Sequence, residues 1–103
     1  MEDPHVIAPT GELDITASQA LAPELDRVAA QDGGALLIDL SDVSFVDSTG
    51  LGAIVQAHRR LSSQGRDMAV VAPQGSAAAV LLNLSGLGRR LPVYPTRDAA
   101  LTA

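Results

Sequence analysis

The residues best able to do chemistry stand together at Asp47-Ser48-Thr49-Gly50, between the buried-looking strand run Val43-Ser44-Phe45-Val46 and a helical pattern that begins at Leu51. A helix start needs one side-chain oxygen to accept the open N–H groups of its first turn. Here Asp47, Ser48 and Thr49 all offer one, and glycines follow at 50 and 52. Three roles stand open for Ser48: a cap, a nucleophile, or the seat of a switch. A nucleophilic serine needs a base within hydrogen-bond reach. His58 lies ten residues further along the same helical pattern, about 15 Å away at the α-helical rise. The other histidine, His5, lies near the N-terminus. A nucleophile elbow carries glycine two residues before its serine, where this chain has Val46. A P-loop needs a lysine, and the chain has none. Asp47 could pair with Asp14, or with Asp42 hold a cation, but no spacing demands it. We therefore expect no catalytic residue, no metal site and no cofactor. His58 continues the apolar stripe of its helix and reads as a core-edge histidine.

The switch has a physical basis. A phosphate on Ser48 would add about −1.5 to −2 charges beside a helix N-terminus, whose free N–H groups and dipole accept an anion. The fold should survive. A partner packed on the loop would meet bulk and a charge that is costly to bury.

The elements that must position this loop alternate along the chain. Val6–Ala8 reads as a short strand. Residues 17–31 carry Leu21, Leu25 and Val28 at helical spacing after a capping box from Thr16 to Gln19. Pro23 either kinks that helix or falls in the first turn of one that begins near Ala22. Asp32-Gly33-Gly34 ends it. Residues 35–40 form a continuous apolar run, the mark of a strand buried on both faces. From Leu51 the stripe is Leu51, Ile54, Val55, His58 and Leu61, closed by Gly65. Met68–Val71 is a second buried strand. Ser76 caps a helix carrying Val80, Leu81 and Leu84, which Gly86 and Gly88 end. Residues 91–94 give a last strand and 97–102 a helical turn. This β-α-β-α-β-α-β-α order predicts an α/β fold: a mostly parallel sheet, right-handed crossovers, and helices mainly on one face. Residues 47–50 then fall at a carboxyl edge of the strands, where such sheets place their sites.

Composition narrows the function classes. The 103 residues fit one domain, 1–103, with a 47% hydrophobic content and only Phe45 and Tyr94 as aromatics. The net charge is −5, which argues against binding nucleic acid through its phosphates. Arg59-Arg60 and Arg89-Arg90 read as solvated pairs. No cysteine is present, and no apolar run approaches the ~20 residues of a membrane span. A cytoplasmic protein without membrane contact is expected.

Several segments together resemble the STAS-domain family, specifically the bacterial anti-sigma factor antagonists. They are Thr10-Gly11-Glu12-Leu13-Asp14, Leu37-Ile38-Asp39-Leu40, Val43 through Gly52, Leu84-Ser85-Gly86-Leu87, and Leu91 through Thr96. They span nearly the whole chain in the family's order. The resemblance implies a small α/β protein that is not an enzyme. It implies a partner, an anti-sigma factor that is itself a serine kinase. Unphosphorylated antagonist captures that kinase and frees the sigma factor; phosphorylation separates the pair, and a phosphatase resets it. The phosphoacceptor implied is Ser48, with Thr49 either a secondary acceptor or a capping residue. Asp14 either meets a partner arginine or caps the first helix. Asp47, Gly50 and Leu51 complete the partner-binding loop. A STAS module for a transport or signalling complex, with Ser48 purely structural, is the alternative reading, and a serine-dependent enzyme a third.

Two departures stand out. The family usually has one more N-terminal strand, and too few residues precede Thr10 to hold it with a turn and a second strand. Val6–Ala8 is therefore expected to be a free edge, open to homodimer formation or strand exchange, with Pro9 tolerable at an edge. The second departure is Pro23 in the first helix.

Overall fold

Leu36–Asp39 (β3) and Met68–Val71 (β5) are buried at every position and form the middle of a four-stranded parallel sheet in the computed structural model, which describes residues 1, 3–31 and 33–103. His5–Ile7 (β1) lies outside β3 and Val93–Tyr94 (β6) outside β5, giving the order β1-β3-β5-β6. Gly11–Leu13 (β2) and Val43–Val46 (β4) pair in parallel as a separate ribbon. The described residues thus hold six strands rather than the four in the alternating order read from the sequence. β2 is the one with least signal, since Gly-Glu-Leu holds a single apolar residue. The run 43–46 is a strand as expected, but it is not buried throughout: in β4 only Val43 and Val46 are buried, while Ser44 and Phe45 are exposed, since β4 pairs only with β2.

The helices are Ile15–Ala30 (α1), Ser48–Ser63 (α2), Ala77–Ser85 (α3) and Arg97–Leu101 (α4). The cap of α1 is Asp14, not Thr16. The helix runs on through Pro23. The carbonyl that loses a donor there belongs to exposed Gln19, where water can replace the missing N–H. Of the expected stop, Asp32 lies outside the described residues; Gly33 and Gly34 have φ of +67° and +89°, which favour glycine. In α2 the buried stripe is Leu51, Ile54, Ala57 and Leu61, with Val55 and His58 half-buried on its flank. In α3 the buried residues are Ala78 and Leu82, whereas Val80 and Leu84 are exposed. That helix is apolar nearly all round, so spacing alone could not single out its inner face.

α1, α2 and α3 cover one face of the sheet, packing Leu21, Leu25, Val28, Ile54, Leu61 and Leu82 against Ile38 and Val70. The other face carries a smaller cluster of Leu37, Ala69, Val71 and Ala100, with Met1 and Tyr94 against it. Two polar ties hold α4 there. Arg97 Nε donates to Asp39 Oδ2, and the N-terminal ammonium donates to the Leu101 carbonyl at 3.1 Å. Burial is the largest influence on Asp39 and pushes its carboxyl up. The Ser41 hydroxyl, Arg97 and the Ser41 N–H together outweigh it and hold Asp39 below the ordinary aspartate value. At the opposite end of the strands Arg66 donates to the carbonyls of Ala29, Gln31 and Gly34, serving acceptors that the end of α1 leaves open.

Candidate functional site: paired helix starts

β2 and β4 run parallel, with Glu12 beside Phe45 and Leu13 beside Val46, so they end level. Each strand passes through one aspartate straight into a helix. The two junctions read Leu13-Asp14-Ile15-Thr16-Ala17 and Val46-Asp47-Ser48-Thr49-Gly50. They fold alike. Asp14 Oδ1 accepts the Ala17 N–H at 3.0 Å, and Asp47 Oδ1 accepts the Gly50 N–H at 3.0 Å. The Asp47 N–H donates back to the Leu13 carbonyl at 3.3 Å. α1 and α2 therefore start side by side, and the positive ends of both helix dipoles face the same edge.

The cap of α2 is Asp47, so Ser48 is free of that task. Ser48 is the first helical residue and Thr49 the second; both are exposed. Among the described residues neither hydroxyl hydrogen-bonds within the chain. Gly50 is buried, and a Cβ there would lie 2.9 Å from Leu13 Cγ and 3.0 Å from the Leu13 carbonyl oxygen. The missing side chain lets α2 start against β2. Leu51 is 3% exposed and belongs to the core. Of the loop residues assigned to partner contact, Ser48 and Thr49 thus offer accessible side chains, Asp14 and Asp47 are half-buried caps, and Gly50 and Leu51 lie beneath them.

Two further residues flank the hydroxyls. Ile15 is 58% exposed at the first position of α1, the place Ser48 holds in α2, and Phe45 is 49% exposed in β4, two residues before Asp47. Sequence reasoning passed over both. The signal was present in the shared Asp-x-Thr-small pattern of residues 14–17 and 47–50, which sets Ile15 opposite Ser48. Glu12 lies beside Phe45 and is also exposed. Asp42 is exposed, its carbonyl taken by the Gly11 N–H. No group of three His, Asp or Glu side chains that could hold a metal occurs among the described residues. No helix among them is long and apolar enough to cross a membrane.

The STAS domain matches residues 2–100. This chain belongs to the STAS-domain family. Relatives of this STAS domain include the anti-sigma-F factor antagonist RsfB of Mycobacterium tuberculosis, 33% identical over 94% of this chain and 78% of the relative. The anti-sigma F factor antagonist of Paenibacillus polymyxa is 29% identical over 94% of this chain and 83% of its own length. The crystal structure of an anti-sigma factor antagonist from Mycobacterium paratuberculosis superimposes with a TM-score of 0.81 at 33% identity, covering 99% of this chain and 86% of the other.

Proposed function

We propose that this STAS domain is an anti-sigma factor antagonist and that Ser48 is its switch. It works by binding and carries out no reaction of its own. Its partner is an anti-sigma factor with serine kinase activity, met in the cytoplasm, and a phosphatase restores the binding form. The carrying observation is the exposed Ser48 hydroxyl at the first position of α2, left unengaged because Asp47 does the capping.

Unphosphorylated, the paired helix starts offer a surface on which Ile15 and Phe45 supply apolar area and Ser48 and Thr49 supply small polar groups. Asp14 and Asp47 set the geometry, and Gly50 and Leu51 support it from below. A phosphate on Ser48 would place about −1.5 to −2 charges among these groups, next to two carboxylates. The α2 N-terminus tolerates the anion, so the fold persists. A partner covering Phe45 and Ile15 would have to desolvate that charge, which is expensive without a matching cation. Binding is lost with little change of shape.

The test is the intact mass of the protein after incubation with MgATP and lysate of its native host, beside Ser48→Ala. One phosphate on wild type alone supports the proposal. No phosphate on wild type, from a lysate active on another kinase substrate, would leave a binding module without the switch. With the kinase in hand, Ser48→Ala should bind it and resist release by ATP, and Ser48→Asp should bind weakly. Tight binding by Ser48→Asp would refute the electrostatic account.

A further inference from the structure

We infer that Gly52 determines access to Ser48 in the proposed phosphorylation: its missing side chain keeps open the path by which the partner kinase reaches the hydroxyl. The inference rests on the reading of Ser48 given above and names the residue that makes that hydroxyl reachable.

Nothing within the chain requires glycine at this position. Gly52 is exposed inside α2, and its φ lies outside the left-handed region. A Cβ there would meet nothing within 4 Å, whereas at Gly50 it would strike Leu13. Glycine weakens a helix interior relative to alanine, because it gives up more backbone freedom on folding. The chain thus carries a destabilising residue that neither packing nor backbone conformation asks for.

The position of Gly52 relative to Ser48 supplies a reason. Residues four apart on a helix share a face, so Gly52 lies one turn behind Ser48. Each Cα–Cβ bond tilts toward the helix N-terminus, and a helical side chain covers the turn before its own Cα. The α2 positions that can overhang Ser48 are therefore 51 and 52. Leu51 turns into the core, 3% exposed, and position 52 has no side chain. The Ser48 hydroxyl stands clear of its own helix.

The twin junction offers an internal comparison. Ile15 holds in α1 the place of Ser48, and the residue four further on is Gln19, long and exposed. Two junctions that fold alike differ at two linked positions: one pairs Ser48 with Gly52, the other Ile15 with Gln19. The glycine accompanies the hydroxyl.

Phosphoryl transfer makes the clearance matter. Ser48 Oγ forms a bond to the γ-phosphorus of ATP while the bond from that phosphorus to the β,γ-bridging oxygen breaks. ADP leaves with the electron pair of that bond, and the hydroxyl proton passes to a base of the kinase. The attacking and leaving oxygens lie roughly in line, so ATP must approach the hydroxyl along one direction. A side chain lying over Ser48 would obstruct that approach without touching the Asp47 cap or the core.

Initial rates of phosphate incorporation test this, read by intact mass in MgATP-supplemented lysate of the native host. Wild type, Gly52→Ala and Gly52→Gln are compared, each with its thermal midpoint. Both variants should be at least as stable as wild type. The rate should fall with side-chain size, modestly for alanine and by at least about tenfold for glutamine, the loss expected of a steric clash. The order of the two variants separates cover from stiffness. Alanine is the stronger helix former, so if glycine only loosened the start of α2, alanine would slow the reaction at least as much as glutamine. That order would overturn the inference. A wild-type rate for Gly52→Gln would also overturn it, while leaving Ser48 as the switch. No phosphate on wild type, from a lysate active on another kinase substrate, would remove the reading of Ser48 and this inference with it.

Discussion

Gly50 and Gly52 are two residues apart on α2, yet alanine should act on them with opposite sign. At Gly50 the new Cβ would meet Leu13 Cγ at 2.9 Å, the Leu13 carbonyl oxygen at 3.0 Å and Leu13 Cδ2 at 3.1 Å. Carbon pairs pack best at about 3.5–4.0 Å, so the side chain must yield by at least about half an ångström. It has little room, since Leu13 is 2% exposed. Its carbonyl is backbone of β2 and holds the Asp47 N–H. Overpacking of this kind costs about 1–3 kcal/mol. At Gly52 nothing lies within 4 Å of the Cβ position, and the residue is exposed in a helix interior. There alanine should stabilise by about 0.5–1 kcal/mol through backbone entropy. The same helix-propensity gain applies at Gly50, so the difference between the variants isolates the clash at about 1–3 kcal/mol. Domains of this size shift by about 4–8 °C per kcal/mol. Urea and thermal unfolding followed by circular dichroism would place Gly50→Ala at least about 4 °C below Gly52→Ala. Equal stability of the two would refute the close approach of α2 to β2, and with it the geometry that sets Ser48 beside Ile15.

Other outcomes follow from single features. Asp47→Ala removes the α2 cap and should cost about 1 kcal/mol in urea unfolding, while Ser48→Ala should change stability by less than about 0.5 kcal/mol; the reverse order would make Ser48 the cap. Ser18 is 4% exposed in α1 and its hydroxyl has no partner, so Ser18→Ala should raise the urea midpoint by relieving a buried unsatisfied group. The folded state holds the Asp39 carboxyl below its ordinary value, so it binds fewer protons there than the unfolded chain does. Its stabilising contribution is then full above the unfolded value of about 4 and drains away as the pH falls through the lower folded value. Asp39→Asn should flatten that acid limb of the stability curve, and an unchanged limb would show that Arg97 and Ser41 do not hold the carboxylate.

How far the sequence revealed this molecule depended on how much apolar pattern each element carried. The runs at 36–39 and 68–71 were legible because a strand buried on both faces is apolar nearly throughout, with Asp39 the one polar residue in the two. The α2 pattern was legible because its polar face contrasts with Leu51, Ile54 and Leu61. The ribbon of β2 and β4 was not read as a pair, because Gly11-Glu12-Leu13 has one inward side chain and its partner is distant in sequence. That omission hid Ile15 as a neighbour of Ser48, since only the level ends of the ribbon bring the two together, whereas Phe45 stands three residues before Ser48 in the sequence. Asp14 was weighed as a cap or a contact from its type, and its bond to the Ala17 N–H answers the first half. The inner face of α3 was beyond pattern reasoning, because Ala77 to Leu82 is apolar without a break.

The twin junctions at Asp14 and Asp47 carry one more consequence. The backbone has two equivalent sockets for a first helical residue, and the chain fills one with isoleucine and the other with serine. The number of exposed hydroxyls at these first helical positions is therefore a matter of side-chain choice and not of architecture. Ile15→Ser would install a second hydroxyl in the same setting, capped in the same way and facing the same edge. If Ser48 is the switch proposed above, the fold has scaffolding for a second one, and the isoleucine at position 15 leaves that position without a hydroxyl.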